Sequence, residues 1–515
     1  MKIFKITTFF FYLLLVASSS TAQQRISEFQ MYDDFDEFVS IIQDCNPQLL
    51  FRKAVTGFDQ LQHIISQREQ IDTITSQESF FDFLSICLSF LHDIHIRETT
   101  EFYNFDNLFG VDTLAIIARK KYLHDYSPRP KDFNNRSKRN SIFGAPIYYK
   151  GDYYALGRYL LITHNFIDTL ILQNPKIIAY NYTPFFKYAV NQRKQNNFRW
   201  DYTRGHFFSL NAYTPAEGFF TVENEGDTIE FRYEEFYGFV KKQIDSSIAD
   251  SLLIKYNPRE KRKVHYFDDT YILYIYLDAM SQANLDFAEE IKKNGTGKKI
   301  NKVIIDVRGN RGGNDLVWHN LLKAIIADSL YYNPQSALLN TERLKQYYRY
   351  PNSFADIDSL KIHNFSWLPE QEFLITNFSP TYIIPDTNSL NYSGKIYILN
   401  NQYSFSSALA LSSFAKQSEQ LVSVGESTGM LAGMGIAAAL FQLKHSKFTF
   451  RLSTLIEITN AKTPIDVYQD FPEIMFEIPL DDFLRYHNYS DVYDIRSKEY
   501  LLKFDFLFKE VMNLK

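Results

Sequence analysis

Apolar positions recur at helical spacing near the start of the chain. Phe35, Phe38, Ile41 and Ile42 share one face behind the acidic run Asp33-Asp34-Phe35-Asp36-Glu37, whose carboxylates suit the positive end of a helix dipole. Asn46-Pro47 is read as the end of that helix. A second helix is predicted over 58–65. A third runs from Gln77 through Phe80, Phe81, Leu84, Leu88 and Leu91 and stops at His92-Asp93-Ile94-His95. Over 150–245 the pattern shifts to short strands, at 159–162, 169–172, 176–181 and 228–233, with one helix over 185–192. From residue 271 strands and helices alternate: strands at 271–277, 303–307, 395–399 and 421–424, helices at 285–293, 316–326 and 406–416. The unbroken apolar run Val303-Ile304-Ile305-Asp306-Val307 fits a strand covered on both faces of a parallel sheet. The alternation argues for an α/β domain.

The first residues do not fit these periods. Lys2 and Lys5 precede an apolar stretch of about a dozen residues over 6–17, too short to span a bilayer comfortably. Ser18-Ser19-Ser20-Thr21-Ala22 then supplies small side chains. This pattern predicts a signal peptide over 1–22, cleaved before Gln23. The mature chain is then expected to be exported, periplasmic or extracellular, without stable membrane insertion. The organisation expected beyond it is a helical segment over 26–105, a linker over 106–149, a β-rich module over 150–245 and an α/β domain over 262–515. The polar, basic stretch 119–140 reads as a solvated loop.

Composition narrows the function. A net charge of −5 over 515 residues, with no basic excess, argues against nucleic acid as the main partner. The two cysteines, Cys45 and Cys87, cannot build a disulfide framework. Buried thiols are the plainer reading, with a single pairing left open. No Cys/His cluster has zinc spacing and there is no HExxH, so neither a metal nor another cofactor is expected.

Three stretches carry candidate chemistry. Asp306-Val307-Arg308-Gly309-Asn310-Arg311-Gly312-Gly313 follows a buried strand and precedes a helix. Consecutive glycines there let the backbone turn sharply and leave N–H groups uncovered, and such groups at a helix N-terminus can stabilise an oxyanion. Asn400-Asn401-Gln402-Tyr403-Ser404-Phe405-Ser406-Ser407-Ala408 joins a strand to a helix. A serine there is commonly an N-cap. As a nucleophile it would present its hydroxyl at the carboxyl edge of the sheet, with the Ala408 N–H facing a tetrahedral intermediate. Asp93-Ile94-His95 places an imidazole where a helix stops.

These stretches, with Gly425-Glu426-Ser427-Thr428-Gly429, stand in the order found in C-terminal processing (tail-specific) serine peptidases and the related tricorn core, and the chain resembles that family. Asp33-Asp34-Phe35, Asn46-Pro47-Gln48-Leu49, Phe471-Pro472-Glu473-Ile474 and Asp481-Asp482 add to the likeness. The resemblance implies an α/β crotonase-like (ClpP/crotonase-type) core, a helical N-terminal segment and a divergent PDZ-like β module. In that module Tyr182 stands where a glycine would follow Asn181. The family's Ser-Ala-x-Glu turn falls on Ser407-Ala408-Leu409-Ala410, with Ala410 in place of the acid; Ser406 is the nucleophile if the turn is shifted by one. No lysine follows the Gly-Glu motif before Lys444, which argues against a Ser–Lys dyad. The tricorn-type arrangement instead assigns His95 as base and Asp466 as its acid, with Glu457 as the alternative. Gly312, Gly313 and Ala408 would supply the oxyanion hole. The expected function is an exported serine-type endopeptidase acting on peptide or unfolded protein through an acyl-enzyme. The alternative is an inactive relative that binds peptide or ligand. Nothing supports coenzyme A binding by a crotonase-type acyl transferase. Oligomeric state is not legible.

Overall fold

The computed structural model describes the chain from residue 26 to 514, except residues 92, 94–95, 100–146, 151, 156–157, 164–168, 186–197, 202–205, 210–218, 233–235, 243–260, 349–353, 357–372, 378–380, 429–437 and 491–492. The expected signal peptide, almost all of the expected linker and nearly all of the helix expected over 185–192 therefore lie outside the described residues.

Helix α1 (Glu28–Cys45) starts at Ser27, whose hydroxyl accepts from the Gln30 N–H while the Gln30 side chain accepts from the Ser27 N–H. This reciprocal cap satisfies two otherwise orphaned donors. Asn46-Pro47 does end α1, but it also starts a helix that the sequence reading passed over. Pro47, at φ −65°, is the N-cap of α2 (Gln48–Thr56), a site where its missing N–H costs nothing. Helices α3 (Gln60–Ile65) and α4 (Gln77–Ser89) follow.

These helices do not form a separate bundle. Phe38 meets Phe450 edge-on at 5.2 Å and Phe81 meets Phe448 at 5.3 Å. The fully buried Asp34 accepts the N–H groups of His445 and Ser446 at 2.8 and 2.6 Å. The N-terminal segment is thus bolted to the antiparallel pair Ala438–Gln442 and Thr449–Ser453, more than 400 residues later in the chain.

Over the expected β-rich module the described strands are antiparallel. One sheet runs in the order 227–232, 219–224, 176–180, 152–154, 147–149, and another pairs 236–242, 158–163 and 169–173. Asn181 and Tyr182 take left-handed φ values of 45° and 61° to turn between Lys176–Tyr180 and Thr183–Pro184. A glycine would carry no steric penalty there. The Tyr182 ring offsets part of that penalty by stacking on Phe219 at 4.8 Å.

The α/β domain is built on a six-stranded sheet. Strand β1 (Arg262–Phe267) pairs antiparallel with β2 (Ile272–Leu277). From β2 the order runs in parallel through β3 (Lys302–Asp306), β4 (Ile396–Asn400), β5 (Leu421–Gly425) and the short β6 (Ile474–Met475). Successive strand residues point to opposite faces, and both faces are covered. Leu273, Ile275, Val303, Ile305, Ile396 and Ile398 pack against α5 (Phe287–Gly295), α6 (Leu316–Ile325) and α7 (Ser407–Ala415). Tyr274, Ile304, Tyr397 and Leu399 pack against the C-terminal helices α9 (Lys498–Lys503) and α10 (Phe506–Asn513), which follow α8 (Leu480–Tyr489). Every large apolar side chain buried this way contributes about 1.5–3 kcal/mol. The carboxyl ends of β3 and β4 run into the two loops singled out above, where open α/β sheets place their sites.

Candidate active site

The loop after β3 is held by a buried ionic cluster. Arg308 donates to Asp306 at 2.6 Å and to Asp505, the N-cap of α10, at 2.8 Å. Arg496 lies 3.5 Å from Asp306, and the Tyr274 hydroxyl donates to Asp306 at 2.7 Å. Burial alone would raise the Asp306 pKa; the two guanidinium groups override it and hold the carboxyl at about 2. The Asp-x-Arg part of the motif is therefore a tether between the sheet and the C-terminal helices, so Arg308 does not face the serine turn with a free guanidinium. Asp505 and Arg496 carry no local signal in the sequence.

The two loops are laced together by short polar side chains. Asn310, fully buried, donates to the Leu277 carbonyl at 2.9 Å, accepts the Gly312 N–H at 2.8 Å, and offers its own carbonyl to the Phe405 N–H at 2.8 Å. Asn401 accepts from the N–H groups of Gly309 and Tyr403, at 2.9 and 3.1 Å, and Ser404 donates to the Val307 carbonyl at 2.9 Å.

At their meeting point stands Ser406. It is the N-cap of α7 with φ 57° and ψ −125° and makes no capping hydrogen bond. A positive φ is uncommon for a residue with a Cβ and costs about 1–3 kcal/mol unless the surroundings enforce it. Gly312, at φ +83°, is what leaves room for it: a Cβ on Gly312 would lie 2.3 Å from Ser406 Cβ and 2.6 Å from the Ser407 nitrogen. Gly313, at φ +142°, presses equally closely on the Met280 carbonyl, to which the Asn314 N–H donates at 2.7 Å.

The backbone N–H groups divide clearly. Gly312 donates to Asn310, and Ala408 donates to the Phe405 carbonyl at 3.2 Å. Two of the three donors expected for an oxyanion hole are thus engaged elsewhere. The N–H groups of Gly313 and Ser407 have no partner among the described residues. Ser407 is buried and its hydroxyl donates to Asp315, which the Trp318 indole N–H also reaches, at 3.2 Å. Asp315, at the start of α6, was not singled out in the sequence.

The expected acids are each held by other partners. Asp466 accepts from the Lys462 and Thr463 N–H groups at 3.0 and 2.8 Å and from the Thr463 hydroxyl at 2.8 Å; its carboxylate serves as a capping box for the helix Pro464–Tyr468. Glu457 accepts from Ser413 at 2.6 Å and Tyr332 at 3.3 Å. Ser413 is seven residues along α7 from Ser406, about 10 Å at 1.5 Å per residue. Burial pushes the Glu457 carboxyl up to about 7. His95 lies outside the described residues. Its neighbours Asp93 and Ile96 are buried, Asp93 accepting from Gln48 at 2.7 Å. His319, in the first turn of α6, packs on Trp318 with ring centres 4.1 Å apart, and burial lowers its pKa. A cleft is lined by Asn401, Glu426, Tyr486 and His487 among others. Burial raises Glu426 to about 7 and lowers His487 to about 4. Among the described residues no cluster of His, Cys, Asp and Glu has the arrangement of a metal site.

No helix among the described residues is long and apolar enough to cross a membrane. A comparison with curated protein sequences finds no match. Among solved structures, the fold is similar to mature CPAF complexed with lactacystin, at 14% identity and TM-score 0.50 over 94% of this chain and 99% of that one. It is also similar to a serine-to-alanine mutant of CPAF, at 14% identity and TM-score 0.51 over 94% and 98% of the two chains. Residues 271–468, which carry the glycine turn, the serine turn and the sheet between them, match the model of peptidase family S41, and that part of the chain is therefore similar to a peptidase.

Proposed function

We propose that the protein is an exported serine-type peptidase with Ser406, rather than Ser407, as its nucleophile. The observation that carries this reading is the positive φ of Ser406 against Gly312, beside two N–H groups without partners among the described residues. Strain held at one residue by its surroundings is typical of reacting positions. The Ser407 hydroxyl is already bonded to Asp315.

In the proposed reaction Ser406 Oγ attacks the peptide carbonyl carbon and its proton passes to His95. The oxygen that becomes negative is received by the Ser407 and Gly313 N–H groups, which serve in place of the Gly312 and Ala408 pairing. The C–N bond then breaks, His95 returns the proton to the leaving amine, and water hydrolyses the acyl-serine. The role of His95 rests on the family resemblance, as do the crotonase-like core and the PDZ-like module. The substrate class is peptide or unfolded protein. Export rests on the signal-peptide pattern, and a mature chain beginning at Gln23 in the periplasm or medium is the expected finding.

The test is hydrolysis of a peptide library by Ser406→Ala, Ser407→Ala, His95→Ala and His319→Ala. Ser406→Ala and His95→Ala should abolish turnover, while Ser407→Ala and His319→Ala should retain a measurable rate. A second reading, an inactive relative that binds peptide, is favoured by Ala410 and by the local partners that already engage both expected acids. Peptide binding without turnover in the wild type would select it.

A further inference from the structure

The carboxylate of Asp315 is bonded to Ser407, the residue next to the proposed nucleophile, and forms no ion pair with a lysine or arginine among the described residues. Asp315 is exposed at the start of α6, immediately after Gly312-Gly313-Asn314, and makes no capping bond to its own helix. Among the described residues its side-chain hydrogen bonds come from the Ser407 hydroxyl and the Trp318 indole, both on the same oxygen, Oδ1; His319, one turn along α6, feels its charge, but burial outweighs that and lowers the imidazole pKa. No lysine or arginine pairs with it among the described residues, and Oδ2 has no partner there. Trp318 is buried against Phe414 of α7, with ring centres 5.5 Å apart, so the indole that aims the carboxylate is itself fixed.

An unpaired charge at this position has two opposite consequences. It disfavours a second negative charge forming nearby on the substrate oxygen, and it attracts a positive side chain on the substrate. A substrate cation next to the scissile bond would meet the charge and also remove its penalty on the oxyanion.

We propose that Asp315 is a specificity-determining residue, selecting peptides with a lysine or arginine beside the bond to be cut. This rests on the reading of Ser406 as nucleophile and adds the substrate class. A single charge pair near a protein surface sets the scale of the preference at about 3-fold to 30-fold.

The test compares the labelling rates of a cationic and a neutral peptidyl phosphonate in wild type, Asp315→Asn and Asp315→Ala, with thermal unfolding as the check on folding. Asparagine keeps the Oδ1 acceptor for Ser407 and Trp318 and removes the charge. The wild type should label faster with the cationic probe by about 3-fold to 30-fold. In Asp315→Asn that preference should vanish, because the cationic rate falls and the neutral rate rises. A merely structural role would instead lower both rates in proportion and leave their ratio unchanged; that result, or an equal ratio in wild type and Asp315→Asn, overturns the proposal. If Ser406→Ala still labels, or the wild type does not label at all, the reading of the nucleophile fails and the selectivity claim falls with it.

Discussion

Replacing Gly312 by alanine tests the serine turn with the smallest possible change. The added carbon would lie 2.3 Å from Ser406 Cβ and 2.6 Å from both the Phe405 carbonyl oxygen and the Ser407 nitrogen. Carbon atoms rest about 3.5–4.0 Å apart, so the two turns must separate by roughly 1.2 Å or more at that point. Alanine would also have to hold φ +83°, at about 1–2 kcal/mol. Overpacking of this kind costs about 1–3 kcal/mol in stability, which a protein of this size can survive. Reactivity is far more sensitive, since a 1 Å misplacement of reacting groups costs about 100-fold. We expect Gly312→Ala to remain folded by thermal unfolding and to react with a fluorophosphonate about 100-fold more slowly than wild type. Gly57→Ala is the control. Gly57 also sits at positive φ, +70°, but has no atom within 4 Å of the added carbon. It should lose about 1 kcal/mol of stability and keep the wild-type labelling rate. A folded Gly312→Ala that labels as fast as wild type would refute the claim that this contact holds the serine in its reactive conformation.

The other expectations follow from the same geometry. Arg308→Met leaves Asp306 and Asp505 buried side by side with only Arg496 near them, and should cost about 3–5 kcal/mol in urea unfolding; a loss under 1 kcal/mol would show that the cluster does not tether the C-terminal helices. Glu457 has its carboxyl raised from 4.5 to about 7, so its contribution to stability is complete below pH 4.5 and is lost as pH rises to about 7. Glu457→Gln, which keeps an acceptor for Ser413 and Tyr332, should match wild type at pH 4 and exceed it by up to about 3 kcal/mol at pH 8. Equal gains at both pH values would contradict that sign. His445→Ala removes a 2.6 Å contact to the exposed Asp33 and should change stability by less than about 1 kcal/mol, whereas Asp34→Ala strips the acceptor from the buried Ser446 N–H and the part-buried His445 N–H and should cost about 1–3 kcal/mol for the buried donor.

What the sequence made legible follows the range of each signal. The strand at Val303–Val307 and the helices at 316–325 and 407–415 could be read because burial leaves a local mark on each, an unbroken apolar run in the strand and apolar clustering in the helices. Pro47 misled because one residue can both close a helix and open the next. The C-terminal helices 480–489, 498–503 and 506–513 were passed over, although Asp505, the N-cap of the last, is what Arg308 holds. That partnership spans 197 residues and leaves no trace in local pattern. The glycine turn and the serine turn were both found from their motifs. The motif points to Ser407, with Ser406 as the fallback; the two differ in backbone torsion, which no motif reads. Nor does the sequence show that Gly312 and Ala408 give their N–H groups to partners that only the folded loops bring near. Asp315 lacked any signal beyond an acid at a helix start, where the helix dipole accounts for it.

The most direct measurement is the position of the covalent adduct. Wild-type protein treated with a fluorophosphonate, digested and mapped by tandem mass spectrometry should carry the phosphonyl group on Ser406 Oγ, and Ser406→Ala should carry none. An adduct on Ser407, or a protein that stays unmodified across the pH range in which it is folded, would contradict the account.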